Sequence, residues 1–448
     1  MPHRAARLLI NTLSLIALPG LLGPAPAKAA DTLVLSLDAV RELALERNAS
    51  LQHQTNSATL SQVTLDQARA ARQPDLRLSA GASEHLDRAV APATGELETD
   101  GTHSLSLQLS SSLNLFDGSG AKATIESARL AASATASDLE RARESVAYLA
   151  TAGYLQAALD LDLVSIETER LDSEQQQLER IESLHEVGER PWADVLQQRA
   201  SLAEAELEQL SARRTYELDL LTLKELLALD ADTRIELGPG GGLPAATVSG
   251  DLRSLLEEAL QNRSDVAAQA ARVQSAEETI RAARSGYWPS LDLTASAGSS
   301  YSSRDDAFGF GDQLLDANPN ASIGLSLSLP ILDREQTDTA VRRARIELAN
   351  EQLVYDDLVR QVGLELEQAL LNYRIAVAQL GVSQTRVQYA REALAATEAR
   401  YFEGLATLVE VSQARSQYVE AAGSRATAQT TTTLRQLEIE LQLGGNTL

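Results

Sequence analysis

Cysteine is absent from the 448 residues. Its absence excludes disulfides, thiolate metal sites, a cysteine nucleophile and a lipid-modified N-terminal cysteine. Basic residues are in short supply, 39 against 63 acidic ones, and the formal charge of -24 repels phosphate, which excludes a nucleic-acid partner. Aromatics amount to 4%, with only two Trp and four Phe. Motifs of chemistry are missing as well. His53, His85, His103 and His185 are scattered without a ligand spacing, and there is no Gly-x-Ser-x-Gly, phosphate loop or dinucleotide fingerprint. Gly238-Pro239-Gly240-Gly241-Gly242 lacks the lysine and following helix of a phosphate cradle, and Asp305, Asp306, Asp312 and Asp316 miss the calcium-loop spacing. No enzyme activity, cofactor or metal site is expected.

Beyond the N-terminus no stretch is apolar enough to span a membrane as a helix. At the N-terminus, Arg4 and Arg7 precede an apolar run from Leu8 to Leu22, broken by Pro19 and Gly20 and followed by Ala27-Lys28-Ala29. That order predicts a secretory signal peptide over 1-29 and an exported chain. What remains is 44% hydrophobic and rich in Ala and Leu, which suits packed helices.

The chain also resembles itself. Leu37 to Ala80 returns at Leu252 to Ala295, so that Ala68-Arg69 falls on Ala283-Arg284 and Pro74-Asp75-Leu76-Arg77-Leu78 on Pro289-Ser290-Leu291-Asp292-Leu293. Further on, Leu115-Phe116-Asp117 falls on Ile331-Leu332-Asp333 and Gly188 on Gly404. A period this long predicts two large equivalent halves, 30-236 and 251-448, joined by a Gly/Pro linker at 237-250.

Each half reads as helix, strand, loop, strand, very long helix, break and return helix. The first helix begins at Ser36 or Asp38 and ends at Pro74; its copy runs from about Leu252 to Ser285. Leu76, Leu78 and Ala80, and again Leu291, Leu293 and Ala295, start strands of period two. The clearest strands place Leu105, Leu107, Leu109, Leu113 and Leu115, or Ile323, Leu325, Leu327, Leu329 and Ile331, opposite small polar residues. A soluble sheet with one wet face has the same alternation. The small, uncharged wet face favours tilted outer-membrane strands, since exposed soluble strands carry charge against edge pairing. Loops are expected from Ser83 to Thr102 and from Tyr301 to Pro319. Four such strands cannot close a barrel alone, so the chain must oligomerise.

The long helices are expected from about Ser119 to Val187 and Arg334 to Phe402, each about 100 Å at 1.5 Å per residue. The second carries a coiled-coil stripe of Val359, Val362, Leu366, Ala369, Tyr373, Val377 and Leu380. Each stops at a glycine, Gly188 or Gly404, before return helices at Trp192 to Leu229 and Leu408 to Leu443. A non-pore coiled-coil structural or adhesion protein of the cell envelope is the alternative, which the interposed strands disfavour.

The duplicated Pro-x-Leu-x-Leu strand starts, the Leu-Phe-Asp and Leu-Asp after the second strands, and Tyr401-Phe402-Glu403-Gly404 before Val409-Glu410-Val411 resemble the TolC family of outer-membrane efflux channels. The resemblance implies an α+β membrane protein: a homotrimer with a 12-stranded transmembrane β-barrel, four strands per chain, continued by a long periplasmic α-helical barrel. It implies a passive channel of a tripartite efflux or type I secretion system, set in outer-membrane lipid. A periplasmic adaptor and an inner-membrane pump of RND, ABC or MFS type would be its partners. By the same resemblance Tyr401 is a latch tyrosine, Asp194 its acceptor, Glu410 an acid of the entrance ring, and Gly188 and Gly404 the tips that meet the adaptor. Ala406 stands where the best-known member type has an arginine and Gln413 where it has an aspartate, which leaves Arg190 or Arg400 as substitutes.

Overall fold

The computed structural model describes residues 33-90, 97-238, 250-305 and 307-445. The expected signal peptide at 1-29, most of the linker (239-249), the tip of the first loop (91-96) and Asp306 lie outside the described residues.

Each opening helix is two helices. In the first half α1 (Leu37–Arg47) and α2 (Ala49–Ala70) are separated at Asn48, whose extended ψ of 121° breaks the helix while its side chain caps α2 and donates to the Leu226 carbonyl. In the second half α5 (Leu252–Asn262) and α6 (Ser264–Arg284) are separated at Arg263. That guanidinium is buried and pairs with Asp265 at 2.7 Å and Glu365 at 3.1 Å. The apolar spacing runs on through both breaks, so the sequence reads as one helix.

A parallel pair unforeseen in the sequence, β1 (Leu33–Leu35) with β4 (Ile235–Leu237), ties the start of the described chain to the end of its first half. Three residues are too few to show a period. The pair borders a core of Leu35, Val40, Ala44, Ala150, Tyr154, Leu223 and Leu227, and the Tyr154 hydroxyl donates to the Gly238 carbonyl at 3.1 Å.

The main sheet has the antiparallel order β2-β3-β5-β6, from β2 (Arg77–Val90), β3 (Leu97–Phe116), β5 (Ser290–Ser302) and β6 (Asn320–Ser328). Its register gathers Leu78, Leu107, Leu109, Leu293, Leu325 and Leu327 on one face and Ser79, Gln108, Ser110, Ser296, Ser322 and Ser326 on the other. Three expectations are corrected. The loop expected over Ser83 to Thr102 is mostly strand, paired from Ser83↔Ser104 up to Val90↔Leu97. Charged and polar residues on both faces conceal its period. Second, β6 stops at Ser328, short of Leu329 and Ile331, because Pro330 has no N–H for the ladder. Third, a bulge between Asn114 and Phe116 takes Leu115 out of the alternating ladder expected for it and puts Phe116 opposite Leu291. Between β5 and β6 the chain makes a short turn, α7 (Phe310–Asp312), continued by a wider one at Gln313–Ala317.

Asp117 and Asp333, each followed by two residues of positive φ, accept from the backbone N–H of Ala121 and Thr337 and so begin the long helices. These are α3 (Gly120–Glu186) and α8 (Gln336–Phe402), 67 residues each, with returns α4 (Trp192–Leu226) and α9 (Leu408–Gln442), 35 residues each. Near the sheet the packing order is α2, α3, α6, α8, which repeats the strand order; toward the far end it is α4, α3, α9, α8. No described helix is long and apolar enough to cross a membrane.

Candidate functional site

The far ends of α3 and α8 are two tight turns. Gly188 (φ 80°) and Gly404 (φ 74°) occupy the left-handed region, and the next residue's N–H donates five residues back, Glu189 to the Leu184 carbonyl and Leu405 to that of Arg400. An added Cβ would meet nothing within 4 Å at either glycine, so conformation rather than space demands glycine there.

Between the turns lies a small core of Ile181, Val195, Tyr401, Leu408 and Val411, with Leu178 and Ala406 against it. Tyr401, at the end of α8, is 1% exposed. Its hydroxyl donates to Asp194 Oδ2 on the first turn of α4 at 3.2 Å. Burial, reinforced by the Asp194 carboxylate and opposed by Arg190, pushes the phenol up to about 12. Arg190, in the turn between α3 and α4, donates to the Tyr401 carbonyl, and its guanidinium sits 4.1 Å from the ring centroid. One arginine thus grips the tyrosine by backbone and by π-face. Arg400 donates to the Leu405 carbonyl at 3.1 Å, closing its own turn, and its charge also favours the ionised Glu410 carboxylate.

Glu410 is exposed and belongs to a capping box on α9: its carboxylate accepts from Thr407 N at 2.6 Å, while its own N–H donates to Thr407 Oγ1 at 3.3 Å. The backbone and hydroxyl bonds from Thr407 hold its carboxyl below the usual range. The fold therefore joins Tyr401 with Asp194 and leaves Glu410 apart from both. Ala406 packs on the turn core, and Gln413 is exposed.

Further along the bundle, sequence reasoning missed a buried polar group shared by all four helices. Arg415 of α9 bonds Glu398 of α8 and lies 3.4 Å from Glu174 of α3, whose carboxylate and carbonyl both accept from Gln198 of α4. Four residues from four distant segments leave no local signal.

The family described as outer membrane efflux protein matches residues 40-229 and 255-445. Outer membrane protein TolC of Escherichia coli (strain K12) is 33% identical over 175 residues, 38% of this chain and 35% of that protein. The chain thus spans about a third of the length of that curated relative. Protein CyaE of Bordetella pertussis is 24% identical over 398 residues, 89% of this chain and 81% of that protein. A crystal structure of CusC shares the fold with a TM-score of 0.78 at 17% identity, covering 93% of this chain and 94% of that one.

Proposed function

The chain belongs to the outer membrane efflux protein family, and from that premise we propose that it is a non-enzymatic conduit through the outer membrane, continued into the periplasm by the long helices. The observation that carries this reading is the sheet. Its outer strands, β2 and β6, each have one edge without a partner among the described residues, and where β5 and β6 pair one face is made of Leu, Ile and Ala. Such edges are untenable in lipid, where every backbone group needs a partner. A second copy's β2 beside β6 continues the antiparallel alternation, and three copies close a ring of twelve strands with the apolar face toward lipid and the serine face toward the lumen. The same closure suits the helices, because the outer ones carry exposed apolar side chains: Leu60 and Val63 on α2, Leu207, Leu210 and Leu218 on α4, Leu353 and Leu371 on α8.

In this reading the halves 30-236 and 251-448 are duplicates around a linker at 237-250. The bond from Tyr401 to Asp194, clamped by Arg190, holds the periplasmic mouth closed, and Glu410 lines the entrance in three copies. The Gly188 and Gly404 turns meet a periplasmic adaptor, and an inner-membrane pump supplies the energy in an efflux or type I secretion assembly. The test is conductance of the purified protein in a planar bilayer. Discrete channels are expected; a protein that inserts without conducting returns the non-pore coiled-coil alternative.

A further inference from the structure

The segment between β5 and β6 is built around one side chain. Gln313 is 0% exposed. Its amide nitrogen donates toward the carbonyls of Ser302, Asp305 and Phe308 at 3.1, 2.9 and 3.0 Å, and its amide oxygen accepts from Ser302 N at 2.9 Å. Asn318 adds a bond to the Ser300 carbonyl at 2.7 Å. This loop is therefore a fixed piece of structure.

Two contacts say which side of the sheet it lies on. Phe310 meets Tyr301 edge to face at 4.9 Å, and Ser299 Oγ donates to the Gln313 carbonyl at 3.5 Å. Tyr301 and Ser299 stand on the same face as Leu291, Leu293, Leu105 and Leu107. The loop folds back over the apolar face, and from there Phe308, Phe310 and Leu315 project outward, Leu315 at 78% exposure.

Spacing along β5 identifies the occupant. Tyr301 lies ten residues beyond Leu291, about 33 Å of strand or about 25 Å of height at a tilt near 40°, which is the depth of an outer-membrane apolar band. Exposed Tyr287, Trp288 and Phe116 stand at the near end of that span, and Tyr301, Phe308 and Phe310 at the far end. In a chain with four Phe, three at these two rims is a placement that fits two membrane interfaces.

We propose that the loop after β5 is a membrane anchor whose Phe308, Phe310 and Leu315 sit in the lipid of the outer leaflet, leaving the channel mouth unplugged by this loop. The inference rests on the apolar face meeting lipid, as proposed above.

The lack of cysteine makes the test clean. Single variants Leu315→Cys, Phe308→Cys, Ile323→Cys and Ser326→Cys, each carrying a nitroxide, are reconstituted into phosphatidylethanolamine–phosphatidylglycerol vesicles, and their collisions with oxygen and with a water-soluble nickel chelate are compared. Labels at 315, 308 and 323 should collide mainly with oxygen, and the label at 326 mainly with the chelate. If 323 reads lipid while 315 or 308 reads water, or is shielded from both probes by a neighbouring copy, the anchor falls and the barrel stands. If 323 itself reads water, the barrel reading falls and the anchor with it.

Discussion

At the scale of single residues, the tyrosine at the turn is held by two groups of different kinds. Tyr401→Phe removes the hydroxyl bond to Asp194, worth about 1.5 to 3 kcal/mol with a charged acceptor. Arg190→Ala removes both the carbonyl bond and the ring contact. Single-channel recordings should show conductance raised by each, with Arg190→Ala raised at least as much. Because the phenol is pushed up to about 12, alkaline titration below that value should not mimic the Phe variant. Glu410 separates differently. Glu410→Gln keeps a side-chain acceptor for Thr407 but deletes the charge, so block by multivalent cations should weaken; Glu410→Ala leaves the Thr407 cap but also loses the reciprocal bond to the Thr407 N–H, so it should melt below Glu410→Gln. The resemblance pointed to Tyr401, Asp194 and Glu410. The carboxylate's tie to Thr407 is written in the Thr-x-x-Glu spacing at 407-410, which went unread.

Elements were legible where apolar residues recur with a fixed period, as in the leucine ladder of β3 and the stripe of α8. They were illegible where the period is interrupted or doubly polar: the upper part of β2, the three-residue β1 and β4, and the breaks at Asn48 and Arg263, which depend on ψ and on distant partners. The ladder carries a prediction of its own. Leu109→Arg, on the apolar face and paired with Ala297 midway between Leu291 and Tyr301, should cost about 2 to 4 kcal/mol near the bilayer midplane, and Ser110→Arg on the other face much less; urea titration of the reconstituted protein reads the difference. In the helical part, burial and the facing Asp219 of α4 push the Asp160 carboxyl of α3 up to about 7. A folded-state value above the unfolded one means the folded chain binds the extra proton, so stability falls as pH rises from about 4 through about 7. Asp160→Asn should flatten that decline in thermal melts and leave the variant more stable than the parent at pH 8.

For the whole molecule, native mass spectrometry in detergent should give a trimer, and a monodisperse monomer that still inserts would overturn the closure argued from β2 and β6. The strand order has a further consequence, in time rather than in space. Phe116 pairs with Leu291 across about 175 residues, so the centre of the sheet joins segments that leave the export machinery far apart. Pairing at such separation is slow to form, because the intervening chain must be ordered first. Until β5 arrives, β2 and β3 are a two-stranded hairpin showing Leu105, Leu107 and Leu109 to water, which is marginal alone and sticky at its edges. Biogenesis therefore has a vulnerable interval set by topology. A nascent chain stalled after its first half yields a species for holdase chaperones and periplasmic proteases, and no working half of a channel.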